Sequence, residues 1–125
     1  MENNTERDKF AKNIGVQVVE ASSEKAVCKL QINEIHHNGL GLVNGGVLFT
    51  LGDYALAVAA NANGTSTVTL NSTIDFIKSA TAGTLVAICT PIKTGKTISR
   101  YKVEITLEET SQLIAVLNAT SFTLK

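Results

Sequence analysis

The chain has 125 residues, of which 44% are hydrophobic and 18% charged; this is enough apolar material for one compact core, and no composition shift marks a second. Its 11 basic and 11 acidic residues cancel to a formal net charge of zero, which excludes a global field for nucleic acid or an anionic membrane and leaves any charge recognition local. The N-terminal stretch MENNTERDKFAKN lacks the apolar centre of a signal peptide, and no apolar run reaches the length of a membrane span, so the expectation is a cytoplasmic protein with residues 1–125 forming a single domain.

Thr5 to Asn13 is expected to form a short helix, with Phe10 and Ile14 facing the body and Gly15 ending it. Val16 to Ala21 and Lys25 to Ile32 read as a hairpin across Ser22 to Glu24, because Ala26, Cys28, Leu30 and Ile32 alternate with Val27, Lys29 and Gln31. Asn33 to Asn44 shows no periodicity and reads as a loop, with His36 and His37 at its surface. A helix then runs from Gly45 to Asn61, apolar nearly all round, and Asn61, Asn63 and Gly64 end it.

Beyond that helix the period changes to two. Val68, Leu70, Ser72, Ile74 and Phe76 alternate with Thr69, Asn71, Thr73 and Asp75, and the strand gives way at Ser79 to Gly83. Leu85 to Lys93, Ile98 to Leu107 and Leu113 to Leu124 are three further strands, predicted to form a meander. The order predicts an α+β fold in which an antiparallel sheet of about six strands curves around one long helix. Val86, Ile88, Ile114 and Val116 would sit opposite Leu85, Ala87, Leu113 and Ala115; apolar residues on both faces point to a homodimer or larger assembly. Cys28 and Cys89 are too few for a disulfide framework and lack metal-ligand spacing, so they read as two reduced, buried thiols with no metal.

Within Gly45 to Ala60, GGVLFTLGDYALAVAA, Asp53 is the only charge. Desolvating an unpaired carboxylate costs several kcal/mol, so its retention points to chemistry. The segment from His37 to Gly46 supplies a complementary set. The first turn of a helix carries unsatisfied N–H groups and a partial positive charge, which suit a carbonyl oxygen or a developing oxyanion. Gly45 and Gly46 permit close approach, Asn44 suits the N-cap, and Asn38 offers a side-chain amide. Asp53 lies two turns further on, too far to touch a group bound at its own helix start, so a neighbouring subunit would have to close the gap.

These residues, Asn38-Gly39 followed by NGGVLFTLGDYALA, resemble the signature of the hotdog-fold thioesterases of the PaaI type. Ser72 to Phe76 and the turn Gly95-Lys96-Thr97 resemble that family as well, so the likeness covers most of the chain from Asn38 onward. The resemblance implies a hotdog fold and hydrolysis of an acyl-CoA thioester to free acid and CoA at a dimer interface. It implies that the Gly46 N–H and Asn38 hold the thioester carbonyl. Asp53 of the partner then acts as general base or nucleophile, and Thr69 supplies a hydroxyl that orients the water.

The family's His-Gly-Gly is Asn44-Gly45-Gly46 here, and an amide can cap a helix but cannot carry a proton near neutral pH. CoA is part of the substrate and no separate cofactor is implied. Its phosphates require local cations, for which Lys78 and Lys96 are the candidates, with Gly95 beside Lys96 in the binding turn; Gly95-Lys96-Thr97 is not a P-loop, lacking the upstream glycine and following helix. The implied assembly is a homodimer, paired into a homotetramer, with no nucleic-acid or membrane partner. The alternative is a non-catalytic hotdog module that binds acyl-CoA or a related ligand. A hotdog dehydratase is disfavoured, because no acid and histidine fall in the arrangement it needs.

Overall fold

The computed structural model describes residues 8–124. Asp8 caps a short helix α1 (Lys9–Ile14), its carboxylate accepting from Ala11 N–H at 3.0 Å, and Gly15 ends it in the left-handed region. The expected residues Thr5 to Arg7 of this helix lie outside the described residues. The residue that docks α1 is Ala11, fully buried, whereas Phe10 is 65% exposed and Ile14 half-buried. This corrects the expected facing of Phe10, while Ile14 packs against the core as expected: the small Ala11 side chain allows close approach and leaves the aromatic outside.

Strands β1 (Gln17–Ala21) and β2 (Ala26–Gln31) form the expected hairpin, and a single turn of 3-10 helix occupies Glu34–His36 inside the predicted loop. The long helix α2 (Gly45–Ala60) is followed by β3 (Thr67–Phe76), β4 (Thr84–Lys93), β5 (Ile98–Leu107) and β6 (Gln112–Thr123). All six strands pair antiparallel in the order β1-β2-β4-β5-β6-β3. The last three make the predicted meander, while β3 crosses to the far edge and pairs with β6.

The sheet closes around α2 because the contact residues are small and the strands are bent. Ala26, Cys28, Ala87, Cys89, Ala115 and Ala119 line its inner face, all fully buried. A Cβ on Gly52 would meet Leu117 Cδ1 at 3.2 Å, so this glycine lets the helix sink into the trough. Burial pushes the Cys28 and Cys89 thiols up to about 12, which leaves them unreactive. Bulges at Val19, Leu70, Ile92 and Ile114 each insert one unpaired residue and add local bend and twist.

Two of these bulges overturn the simple alternation. At Leu70 the extra residue switches faces, so Thr69 turns toward the helix, Ser72 and Ile74 follow inward, and Val68 and Leu70 lie outside at 46% and 54% exposure. At Ile114 the bulge buries both Ile114 and Ala115, so Ile114 does not join Val86, Ile88 and Val116 on the outer face.

His36, expected at the loop surface, is 1% exposed. Its Nδ1 accepts from Asn33 N–H at 3.0 Å, which leaves Nε2–H to donate to the Ile14 carbonyl at 2.6 Å. Its own carbonyl accepts from Asn44 N–H at 2.8 Å, so one side chain and its backbone tie the end of α1 to the start of α2. No described helix is long and apolar enough to cross a membrane. Replacing His36 with Ala removes both ring hydrogen bonds and opens a cavity, so His36→Ala is expected to lose about 3 kcal/mol in chemical denaturation. A loss under about 1 kcal/mol would show that the ring bonds are replaced by water.

Candidate active site

The start of α2 is built by its N-cap. Asn44 Oδ1 accepts from Gly46 N–H at 2.7 Å, and the Asn44 carbonyl accepts from Val47 and Leu48 N–H. Among the described residues the Gly45 N–H has no acceptor, so it is the first-turn donor left open to a ligand. Gly45 also packs against the Phe76 ring, where a Cβ would come within 3.1 Å.

The Asn38 loop is held rigidly beside it. Asn38 Oδ1 accepts from Leu40 and Leu42 N–H at 2.8 and 3.1 Å, which fixes the side chain and reserves its Nδ2 as a donor. Val43 N–H donates to the Ala80 carbonyl, and His37 Nε2 donates to the Thr81 carbonyl at 2.8 Å. Lys78 enters from the end of β3, where the Ile77 and Lys78 N–H groups both donate to the bulge carbonyl of Ile114. A cavity of 340 Å³ brings Asn38, Gly45, Phe76 and Lys78 together. Gly95 and Lys96 line a different cavity, of 330 Å³, beyond the other end of α2. Within one chain the three candidate CoA-binding residues are therefore separated. Gly95 carries a packing requirement of its own, since a Cβ there would lie 2.1 Å from the Ile98 carbonyl.

Asp53 is exposed, on the one side of α2 that the sheet leaves uncovered. Gly46, Thr50, Asp53 and Ala57 share that side by helical spacing, so the apparently all-apolar helix has an open strip with the acid in it. Thr69 Oγ1 donates to Asp53 Oδ1 across a long 3.5 Å, a contact the Leu70 bulge makes reachable. Although the carboxyl has one open side, the packed groups around it push its pKa above the ordinary aspartate range. The Asp8 carboxylate pushes the same way, and the Thr69 hydroxyl opposes both. The structure thus brings Asn38 and Gly45 together at one end of α2, and Asp53 and Thr69 together at its middle. Among the described residues no three His, Cys, Asp or Glu side chains gather as metal ligands would.

The residues missed from sequence are Thr50, on the uncovered strip itself, and Asp8, which approaches it from α1. Thr50 was findable, four residues after Gly46 and three before Asp53. The approach of Asp8 to Asp53 was not, since it depends on how α1 docks.

A curled antiparallel sheet around one helix, with a glycine-lined helix start and a helical acid, defines a hotdog-fold thioester hydrolase. The profile of the thioesterase superfamily matches residues 40–114, and the chain belongs to that family. It is 35% identical to the acyl-coenzyme A thioesterase PaaI of Escherichia coli over 101 residues, 80% of this chain and 72% of the relative. To acyl-coenzyme A thioesterase 13 of Mus musculus it is 33% identical over 103 residues, 80% of this chain and 74% of the relative. The solved structure of the E. coli PaaI protein superposes with a TM-score of 0.90, covering 96% of this chain and 87% of that one at 30% identity.

The raised pKa of Asp53 has a consequence for stability. A carboxyl whose folded pKa lies above its unfolded value contributes stability only while protonated; that contribution is complete below the unfolded value, near 4, and is lost as pH rises through the folded pKa. Asp53→Asn removes the ionisation cost, so at pH 7 the variant is expected to melt above the parent. That advantage should vanish below about pH 3.5, where both side chains are neutral. An equal or lower melting temperature at pH 7 would contradict the desolvation account.

Proposed function

We propose that this chain hydrolyses acyl-CoA thioesters at sites shared between two copies of itself. In each site the Gly45 N–H and Asn38 Nδ2 of one protomer hold the thioester carbonyl, and Asp53 of the other activates water. The observation that carries this reading is the separation of the two halves. Asp53 stands eight residue steps beyond Gly45 along α2, about 12 Å at 1.5 Å per residue, while a water attacking a bound carbonyl must lie within hydrogen-bond reach of its base. One chain holds both halves but cannot join them, and a second copy packed on the uncovered strip can.

In the reaction, Asp53 takes a proton as the water oxygen adds to the carbonyl carbon. The resulting oxyanion sits on the Gly45 and Asn38 donors, and the C–S bond breaks as the thiol of CoA leaves with a proton. The raised pKa of Asp53 makes it a better proton acceptor than a solvated aspartate. Thr69 orients the carboxylate and its water. Asn44, where the family motif places His, caps the helix without moving a proton, and Gly46 gives its N–H to that cap rather than to substrate.

The names of the E. coli and mouse relatives supply the CoA ester class. Lys78 lines the cavity with Asn38 and Gly45, which supports a contact with an anionic part of CoA. Gly95 and Lys96 would reach the same molecule from the other protomer. The long unpaired edge of β3, with Val68 and Leu70 exposed, supports pairing of two copies. The half-buried Val86, Ile88 and Val116 on the outer sheet face support a dimer of dimers.

Release of free thiol from acyl-CoAs tests the assignment. Asp53→Asn is expected to lower turnover by about 10²–10⁴. Asn38→Asp keeps the Oδ1 that holds the loop but replaces the donor with a negative oxygen, and is expected to lose about 10²–10³ in turnover. Parent-like hydrolysis by Asp53→Asn would remove the acid from the mechanism.

A further inference from the structure

Two depressions flank the start of α2, and their chemistry differs. The one holding Asn38, Gly45 and Lys78 is polar and cationic at its rim. The other, of 310 Å³, is a groove between α1 and α2 lined by Phe10, Ile14, Val47 and Thr50, with Asn44 and Gly46 at its end. We propose that this second groove receives the acyl chain, that α1 sets acyl preference, and that the substrates are unsubstituted apolar acyl groups. This rests on the thioesterase reading above.

The groove begins where the carbonyl would be held. Gly45 faces one depression and Gly46 the other, so a thioester on the Gly45 N–H has its CoA arm on the Lys78 side and its acyl arm crossing Gly46. A Cβ on Gly46 would meet no sheet residue and would press only on the Asn44 cap oxygen, at 3.1 Å. The missing side chain leaves the crossing open.

The lining is almost wholly hydrocarbon. Thr50 Oγ1 commits its hydrogen to the Gly46 carbonyl at 2.8 Å and Asn44 Oδ1 accepts from Gly46 N–H, so both polar side chains are engaged with the helix start while the rest of the wall is hydrocarbon. Phe10 is 65% exposed beside this surface; an apolar chain laid on it would be desolvated on both sides. Asp53 lies one turn beyond Thr50 and Asp8 opens α1, so an acidic tip would meet two carboxylates.

The test measures thiol release by the full chain from acetyl-, butyryl-, hexanoyl-, octanoyl- and adipoyl-CoA. kcat/KM is expected to rise roughly fourfold per added methylene up to hexanoyl. Hexanoyl should exceed the carboxylate-tipped adipoyl by at least about a hundredfold. Phe10→Ala removes an exposed side chain and should lower the octanoyl-to-acetyl ratio by roughly tenfold. Val47→Phe, which narrows the groove, should lower it further, while Ile92→Ala at the distant end of β4 keeps the parent ratio. A flat length profile in the parent, or a ratio unchanged in Phe10→Ala, overturns the groove assignment while leaving the thioesterase reading intact. Failure to hydrolyse any of the five esters overturns that reading, and this one with it.

Discussion

A helix lying in the trough of a single curled sheet is covered by that sheet except along one strip, and the acid of the proposed mechanism stands in that strip. The curl depends on close approach: Gly52 against Leu117, and alanines and cysteines where larger side chains would hold helix and sheet apart. Once α2 has sunk that far, Gly46, Thr50, Asp53 and Ala57 lie along its least covered side, where Thr69 of β3 reaches Asp53 from the sheet. The carboxylate is tolerated because it stands in that opening. Its raised pKa records how closely the walls of the opening stand.

The same geometry sets the division of labour at the start of α2. A helix N-terminus offers several backbone donors, and the cap determines which remain for a ligand. Asn44 takes the Gly46 N–H and leaves that of Gly45, next to an Asn38 whose oxygen already serves its own loop. A titrating histidine at position 44 would couple this geometry to pH. An amide does not, so the proton chemistry of the proposed mechanism falls to Asp53 alone.

The helix, the strands and their meander were legible in the sequence because each follows a simple period and ends at Asn, Gly or Ser. The acid in the helix, the glycine pair and Asn38 were legible because their residue types contradict their surroundings. The bulges were not. An extra residue at Leu70 or Ile114 leaves local composition unchanged but reverses which side chains face inward, and pairing across strands is what reveals it. His36 escaped for a related reason, since its burial depends on the carbonyl of Ile14, 22 residues away. That the Gly46 N–H is taken by the Asn44 cap was not legible either, since it needed the direction of one side-chain oxygen.

The central claim is that each site takes its donors from one protomer and its acid from another, and subunit mixing tests it directly. Asp53→Asn and Asn38→Asp chains, each impaired alone, would be unfolded together in equal amounts, refolded and assayed for thiol release. Random pairing makes half of the dimers mixed, and one of the two sites in each mixed dimer then carries both native groups, so roughly a quarter of parent activity should return. Activity no higher than that of the separate variants, in a mixture shown to contain mixed dimers, would contradict the shared site.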